Sequence, residues 1–399
     1  MRNVLGPNSI TGYCTNVHAG DSLGATMANL EAYAVDIKKN VCPDEPMGVG
    51  LWLAHNAAEQ MIANNRIDEF KAWLVDRGLL AFTLNGFPYG NFHEAKVKHK
   101  VYEPDWSSEE RLNYTINLSN ILARILPEDV NEGSISTLPI GWRHTIQESH
   151  DKSFIAAQHL IKLTEHLERL EGETGKLIHI DIEPEPGCFF DTGQDVVDFF
   201  KNEILLIGNE LLMHRYLRVC HDVCHSAVMF EPQLEVLDLY KNAGIEVGKV
   251  QISSAIHVPF DELDDHERLN AFRELKGFQE DRYLHQTHAQ TAGSHFYDDL
   301  SDAIKEFDGA PPPAAAWRVH FHVPIFLERF GLLQTTQAEV LDLLAVVQEK
   351  TSCHHFEVET YAWGVLPPEL RAENLSLGIA DELLWLKEQA AKLQAAEQG

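Results

Sequence analysis

The chain has 399 residues, 44% hydrophobic and 23% charged, the composition of an ordinary globular protein and not of a disordered or fibrous one. Its 32 lysines and arginines face 61 aspartates and glutamates, a formal charge of −29 that argues against a nucleic-acid or membrane-surface role. No apolar run approaches the ~18 residues of a membrane span, and the N-terminus has no apolar signal core, so a cytoplasmic chain without membrane insertion is expected. Six dispersed cysteines do not make a disulfide framework, whereas several of the 21 histidines cluster in the way metal sites do.

Short β-type runs alternate with amphipathic helical stretches along the chain. The β-type runs are Ile10–Val17, Met47–Ala54, Leu79–Gly86, Ser134–Ile140, Leu177–Glu183, Tyr216–Asp222, Val247–Ser253, Tyr283–Gln290, Trp317–Ile325 and His355–Trp363. Helical stretches are expected at Leu23–Lys39, Asn56–Arg77, Glu109–Leu126, Ser153–Glu171, Val196–Leu212, Glu235–Ala243 and Ala338–Lys350. This alternation predicts an α/β fold with a parallel sheet and outer helices. An eight-stranded (β/α)8 TIM barrel absorbs eight of the runs. Tyr283–Gln290 and a neighbour then belong to a late insertion, about 257–316, within a single domain over 1–399. Gly309–Ala316 reads as a surface loop, and a C-terminal helix at about 378–397 as a packing or dimer element. An open dinucleotide-binding sheet is disfavoured, because no Gly-x-Gly-x-x-Gly turn follows the first strand.

In a closed parallel barrel the active site lies at the carboxyl ends of the strands, where alternate side chains point inward. In Leu177–Glu183, His179, Asp181 and Glu183 share one face, and Glu183 stands last before Pro184. Asp222 ends the next strand, and His225 follows three residues on, a spacing that lets both reach one ion or an ion and a substrate hydroxyl. Cys220 and Cys224 with His221 or His225 could instead make a structural zinc site, though the usual Cys-x-x-Cys halves are missing. Along His355–Trp363, His355, Glu357, Glu359 and Tyr361 alternate with apolar residues, and inward acids there require a cation. Glu359, nearest the strand end, is the expected ligand; Glu357 lies deeper, where a salt bridge is the competing reading. Arg318, His320 and His322 share a face of another run and are candidate pocket residues, with His285 and His288 as weaker ones. Asn16 and His18 end the first strand and Asn85 the third, both expected as substrate-facing rims. Phosphate-loop, nucleophile-elbow and His-Glu-x-x-His motifs are absent from the sequence.

The order Glu183, Asp222–His225, Glu359, carried by HIDIEPEPG, VCHDVCH and FEVETYAW, resembles the xylose-isomerase-like (sugar phosphate isomerase/epimerase) TIM barrels. Those families hold a divalent metal with a strand-5 Glu, a strand-6 Asp followed by a His, a strand-7 His and a strand-8 Glu. The resemblance narrows to the EboE metabolite-traffic family of ebo clusters through GYCTNVH, TLNGFPYGNFH, VKHKVYEPDW, DVCHSAV, KVQISSA, YLHQ, WRVHFHVPIF and ETYAWGVLP. It implies a divalent ion (Mn²⁺, Mg²⁺, Zn²⁺ or similar) on Glu183, Asp222, Gln251 and Glu359, with Glu183 and Glu359 as the acid–base pair. His225, His320, His322, His285, His18, Asn16, Asn85 and Arg318 are then substrate-side residues. Gln251 stands where the relatives have His; either it serves as ligand or His320 or His322 replaces it, unless the metal centre is degenerate. The implied partner is a small polyol or sugar-like substrate, in the making or trafficking of secondary-metabolite precursors, with other ebo-cluster proteins and a second copy as further partners. The competing function is a non-catalytic metabolite-binding or scaffold barrel.

Overall fold

The computed structural model describes every residue except 150, 291–293, 308–311, 313–314 and 398–399. The expected Gly309–Ala316 loop therefore lies largely outside the described residues. Fourteen strands form among the rest: β1 Ile10–Cys14, β2 Met47–Trp52, β3 Leu79–Asn85, β4 Glu132–Thr137, β5 Leu177–Ile182, β6 Leu217–Asp222, β7 Val247–Ile252, β8 Ile256–Pro259, β9 Thr287–Gln290, β10 His295–Tyr297, β11 Ala316–Val319, β12 Arg329–Phe330, β13 Leu333–Thr335 and β14 His355–Val358. Strands β1–β7 and β14 close into a parallel barrel, β14 pairing with both β7 and β1. Each barrel strand falls inside or within two residues of an expected run, because a strand buried on both faces is a compact apolar block bounded by turn residues.

The two surplus runs leave the barrel. β9 and β11 join β8, β10, β12 and β13 in a six-stranded antiparallel sheet, in the order β10-β9-β11-β8-β13-β12. This sheet begins four residues after β7 and continues to Thr335, past the expected limit of 316. Trp317, fully buried, packs its ring against Phe260, Phe272, Tyr297 and Phe307 and forms the core under that sheet.

Two expected helices are broken. Asn56–Arg77 divides into His55–Ala63 and Ile67–Asp76, since Asn65 takes a left-handed conformation (φ 50°) that ends the first helix. Val196–Leu212 stops before Gly208 and restarts at Glu210 with Asn209 as N-cap. The last helix, Leu375–Glu397, lies against helix Val35–Val41. Its buried Glu382 accepts from Thr360 Oγ1 (2.6 Å), Trp363 Nε1 (3.2 Å) and the Ile325 amide (3.2 Å), tying the segments after β14 and β11 to one another. No helix among the described residues is long and apolar enough to cross a membrane.

Candidate metal centre and active site

Three acids from separate strands meet at the C-terminal mouth of the barrel. Glu183 follows β5 directly, Asp222 ends β6 and Glu359 follows β14 directly. A carboxylate oxygen of each lies within 4.8 Å of the other two, and all three residues are buried. Among the described residues, the sole potentially cationic group within 4.0 Å of any of them is His225, whose Nδ1 is 3.9 Å from Glu183 Oε1.

Their remaining contacts hold the cluster open towards a common point. Asp222 caps helix Val223–Val228: its Oδ1 accepts from the His225 amide (2.9 Å) and Ser253 Oγ (2.7 Å), while Oδ2 has no protein donor. Glu359 Oε1 accepts from the side-chain amides of Asn16 (2.5 Å) and Asn85 (3.2 Å). Glu183 Oε2 is buried without a partner. Gln251 pairs in register with Asp222 on one side and Glu357 on the other, and is fully buried with neither amide atom hydrogen-bonded.

Burial, reinforced by Glu359 and Asp222, pushes the Glu183 carboxyl well above its ordinary range. Burial and then Asp222 raise Glu359 to about 8. Burial alone would raise Asp222 as well, but His225, His322 and its two hydrogen bonds hold it below the usual value. Unpartnered buried oxygens on Glu183, Asp222 and Gln251 have the chemistry of a hard divalent cation's shell, so the residues fit such an ion.

Above the acids lies a cavity of about 540 Å³, including the part open to solvent. Asn16, Asn85, Glu183, His225, His320, His322 and Glu359, all candidates from the sequence, line it. Three other candidates point elsewhere. His18 bonds Tyr13 and stacks on Tyr33 behind β1. His285 is enclosed by Glu280, Phe321 and the backbone carbonyl of His320, so it supports the pocket from outside. Arg318 turns away to Glu339 and the Ala227 carbonyl. All three were assigned by extending alternation beyond a strand end or onto the second sheet, where it no longer refers to the barrel axis.

The alternative zinc set does not assemble: His221 bonds Gln233 outside the barrel, and no described cluster unites Cys220 with Cys224. Burial raises both thiols, which leaves them poor nucleophiles. Glu357 takes the salt-bridge role, 2.6 Å from Lys249.

Sequence reasoning missed Glu185, Tyr102, Gln286 and Tyr361. Glu185 lies beyond Pro184, past the strand's alternation, yet its Oε1 accepts from Tyr102 (2.7 Å) and Gln286 (3.2 Å) at the cavity wall. The repeated Glu-Pro of EPEPG was the available signal. Phe92, Tyr283 and Tyr361 form an aromatic wall.

Solved structures resemble this architecture along nearly its full length. A xylose isomerase-like TIM barrel protein from Mycobacterium smegmatis, determined with magnesium, aligns at TM-score 0.54 over 96% of this chain and 97% of its own, with 10% identity. The fold is the xylose-isomerase-like TIM barrel. A xylose isomerase domain protein from Planctomyces limnophilus aligns at TM-score 0.49 over 97% of this chain and 99% of its own, with 12% identity. No protein-family model and no curated protein matches the chain by sequence.

Proposed function

We propose that this barrel is a divalent-metal-dependent isomerase or epimerase of a small, uncharged polyhydroxy carbonyl compound, sugar-like or cyclitol-like. The observation that carries it is the meeting of Glu183, Asp222 and Glu359 within 4.8 Å, with no lysine or arginine among the described residues within 4.0 Å of any of them; Lys249 is paired with Glu357 instead. Glu183, Asp222, Glu359 and the Gln251 amide oxygen would hold the ion. When bound, it supplies polarisation of the substrate carbonyl and offsets negative charge growing on that oxygen.

The chain's own residues do the remainder. Glu183 and Glu359 exchange the proton on the carbon beside the carbonyl, one taking it and the other returning it; without the ion, burial raises both carboxyls. Asn16 and Asn85 fix the Glu359 carboxylate by donating to it. Phe92, Tyr283 and Tyr361 wall the cavity and exclude water.

The lining favours an unphosphorylated substrate. Lys98 is the single lysine or arginine among the described residues that line it, and its ammonium is committed to Asp299 at 2.5 Å, which leaves no uncommitted lysine or arginine among them for a phosphate. The likeness of the motifs to the ebo-cluster metabolite-traffic family supports a place in secondary-metabolite precursor synthesis.

The test is proton exchange in deuterated water, with unphosphorylated ketoses, aldoses and inososes as probes and Mn²⁺ or Mg²⁺ present. Deuterium should enter the carbon beside the carbonyl with wild type, and Glu183→Gln and Glu359→Gln should each lower that rate by about 100-fold or more. Full exchange by both variants contradicts the assignment. Tight binding of a polyol with no exchange would favour the metabolite-binding barrel.

A further inference from the structure

We infer that Glu382, on the last helix and off the cavity lining, is a positioning residue for the site: its carboxylate, accepting on both oxygens, clamps together the two segments that carry Glu359, Tyr361 and His322. The consequence for metal binding rests on the reading above, whereas the clamp itself does not.

Glu382 is buried and meets both segments at once. Its Oε1 accepts from the Ile325 amide (3.2 Å) and from Thr360 Oγ1 (2.6 Å), and its Oε2 accepts from the Trp363 indole N–H (3.2 Å). Thr360 directly follows Glu359, and Thr360 and Trp363 bracket Tyr361 of the cavity wall. Ile325 stands three residues after His322. The segments meet again nearer the cavity, where His322 Nδ1 donates to the Glu359 carbonyl (2.8 Å) and the His322 and Tyr361 rings lie 4.6 Å apart. Glu382 thereby closes a ring of contacts whose inner side is the cavity lining.

The donors call for a carboxylate and not merely for a buried side chain. A backbone amide and an indole N–H can only donate, and here they approach different oxygens. A glutamine of the same shape would turn its NH2 towards one of them, setting two donors face to face and breaking one tie. A buried carboxylate is costly where no cation offsets it, and among the described residues Glu382 forms no ion pair with a lysine, arginine or histidine. Where the same helix needs only to pack, it buries Ile379, Leu383 and Leu386.

The clamp acts where regular pairing runs out. β14 ends at Val358, and the Glu359 amide still donates to the Ile252 carbonyl (3.1 Å). The segment after β11 is held likewise at Val323, whose amide donates to the Ser254 carbonyl (3.0 Å). Glu382 adds its three hydrogen bonds just past those points. The helix sits close enough to fix them: a Cβ on Gly378, one turn before Glu382, would lie 2.8 Å from the Trp363 ring.

The experiment measures amide hydrogen exchange of the metal-free full chain and its Mn²⁺ affinity by electron paramagnetic resonance. Both are run at about pH 8.5, because burial lifts the Glu382 carboxyl to about 7 and the ionised form must prevail. Glu382→Gln should speed exchange over 323–326 and 360–364 by about 10-fold or more while β5, β6 and β7 stay protected. It should weaken Mn²⁺ by about 10-fold, the lower end of what loss of a supporting group costs. Leu386→Ala, which removes packing one turn along the same helix, should lower stability and leave both readouts near wild type. Glu382→Gln combined with Trp363→Phe should bind Mn²⁺ no worse than Trp363→Phe alone, since the new amide then faces no indole donor. If Glu382→Gln does not fold, Thr360→Val, which deletes one donor, should show the same pattern at smaller size. Wild-type exchange in both segments or wild-type Mn²⁺ affinity in Glu382→Gln overturns the inference. So does an equal loss in Leu386→Ala, or a double variant whose losses add. If wild type binds no Mn²⁺, the metal reading falls and the exchange pattern alone decides the clamp.

Discussion

The two halves of the barrel interior are built from the same residue types and treat charge in opposite ways. In the lower half, each acid has a basic neighbour. Glu132 pairs with Arg218 at 2.6 Å and His179 at 3.3 Å, Asp181 meets His179 at 2.6 Å, and Glu357 meets Lys249 at 2.6 Å. At the mouth, Glu183, Asp222 and Glu359 face one another instead, and among the described residues no lysine or arginine lies within 4.0 Å of any of them. A folded chain tolerates uncompensated buried charge when a ligand supplies the opposite sign, so under the proposed function the lower network is architecture and the upper one a receptor.

The strongest way to break this comparison is to unpair the lower half. Lys249→Met leaves Glu357 buried without its cation and should destabilise the protein by about 3–5 kcal/mol in denaturant unfolding. A loss near zero would mean that the lower charges are no better compensated than the upper ones. Gly50→Ala attacks the same pair sterically, since a Cβ there would lie 1.3 Å from Glu357 Oε1. It should cost about 1–3 kcal/mol.

Protonation sharpens the contrast at the mouth. In the metal-free chain Glu359 titrates near 8 against 4.5 for an ordinary glutamate, so the folded state holds the extra proton across that window. Stability of the metal-free protein should therefore fall as pH rises from about 5 to 8. Glu359→Gln should flatten the fall, and so should a saturating divalent ion. Thermal unfolding across that range checks the sign; a stability that climbs instead would refute it. The smallest effect is expected from Asn85→Ala, which removes one donor to Glu359: about 1 kcal/mol in stability and ~10–100-fold in metal affinity by calorimetry.

Much of this was legible in the sequence. The period-2 pattern in HIDIEPEPG and FEVETYAW put Glu183 and Glu359 on the inner face, because inward acids on otherwise apolar strands are conspicuous, and the end of the run Tyr216–Asp222 marked Asp222. The same pattern could not identify Lys249 as the partner of Glu357, since pairing across the barrel depends on register and closure. Nor does it hold past a strand end or on the second sheet: His18, His285 and Arg318, expected in the pocket, lie outside it, whereas Glu185, beyond Pro184, lies on its wall. The short strands β12 and β13 carry too few residues to show a period, which is why the second sheet extends further than expected.

The most direct measurement is a crystal structure of the full chain soaked in Mn²⁺, with anomalous differences recorded at the manganese edge. The account predicts a peak about 2.0–2.4 Å from oxygens of Glu183, Asp222 and Glu359, with the Gln251 amide oxygen turned towards it. A mouth with no anomalous peak, its three carboxylates separated or bonded to protein cations, would contradict it.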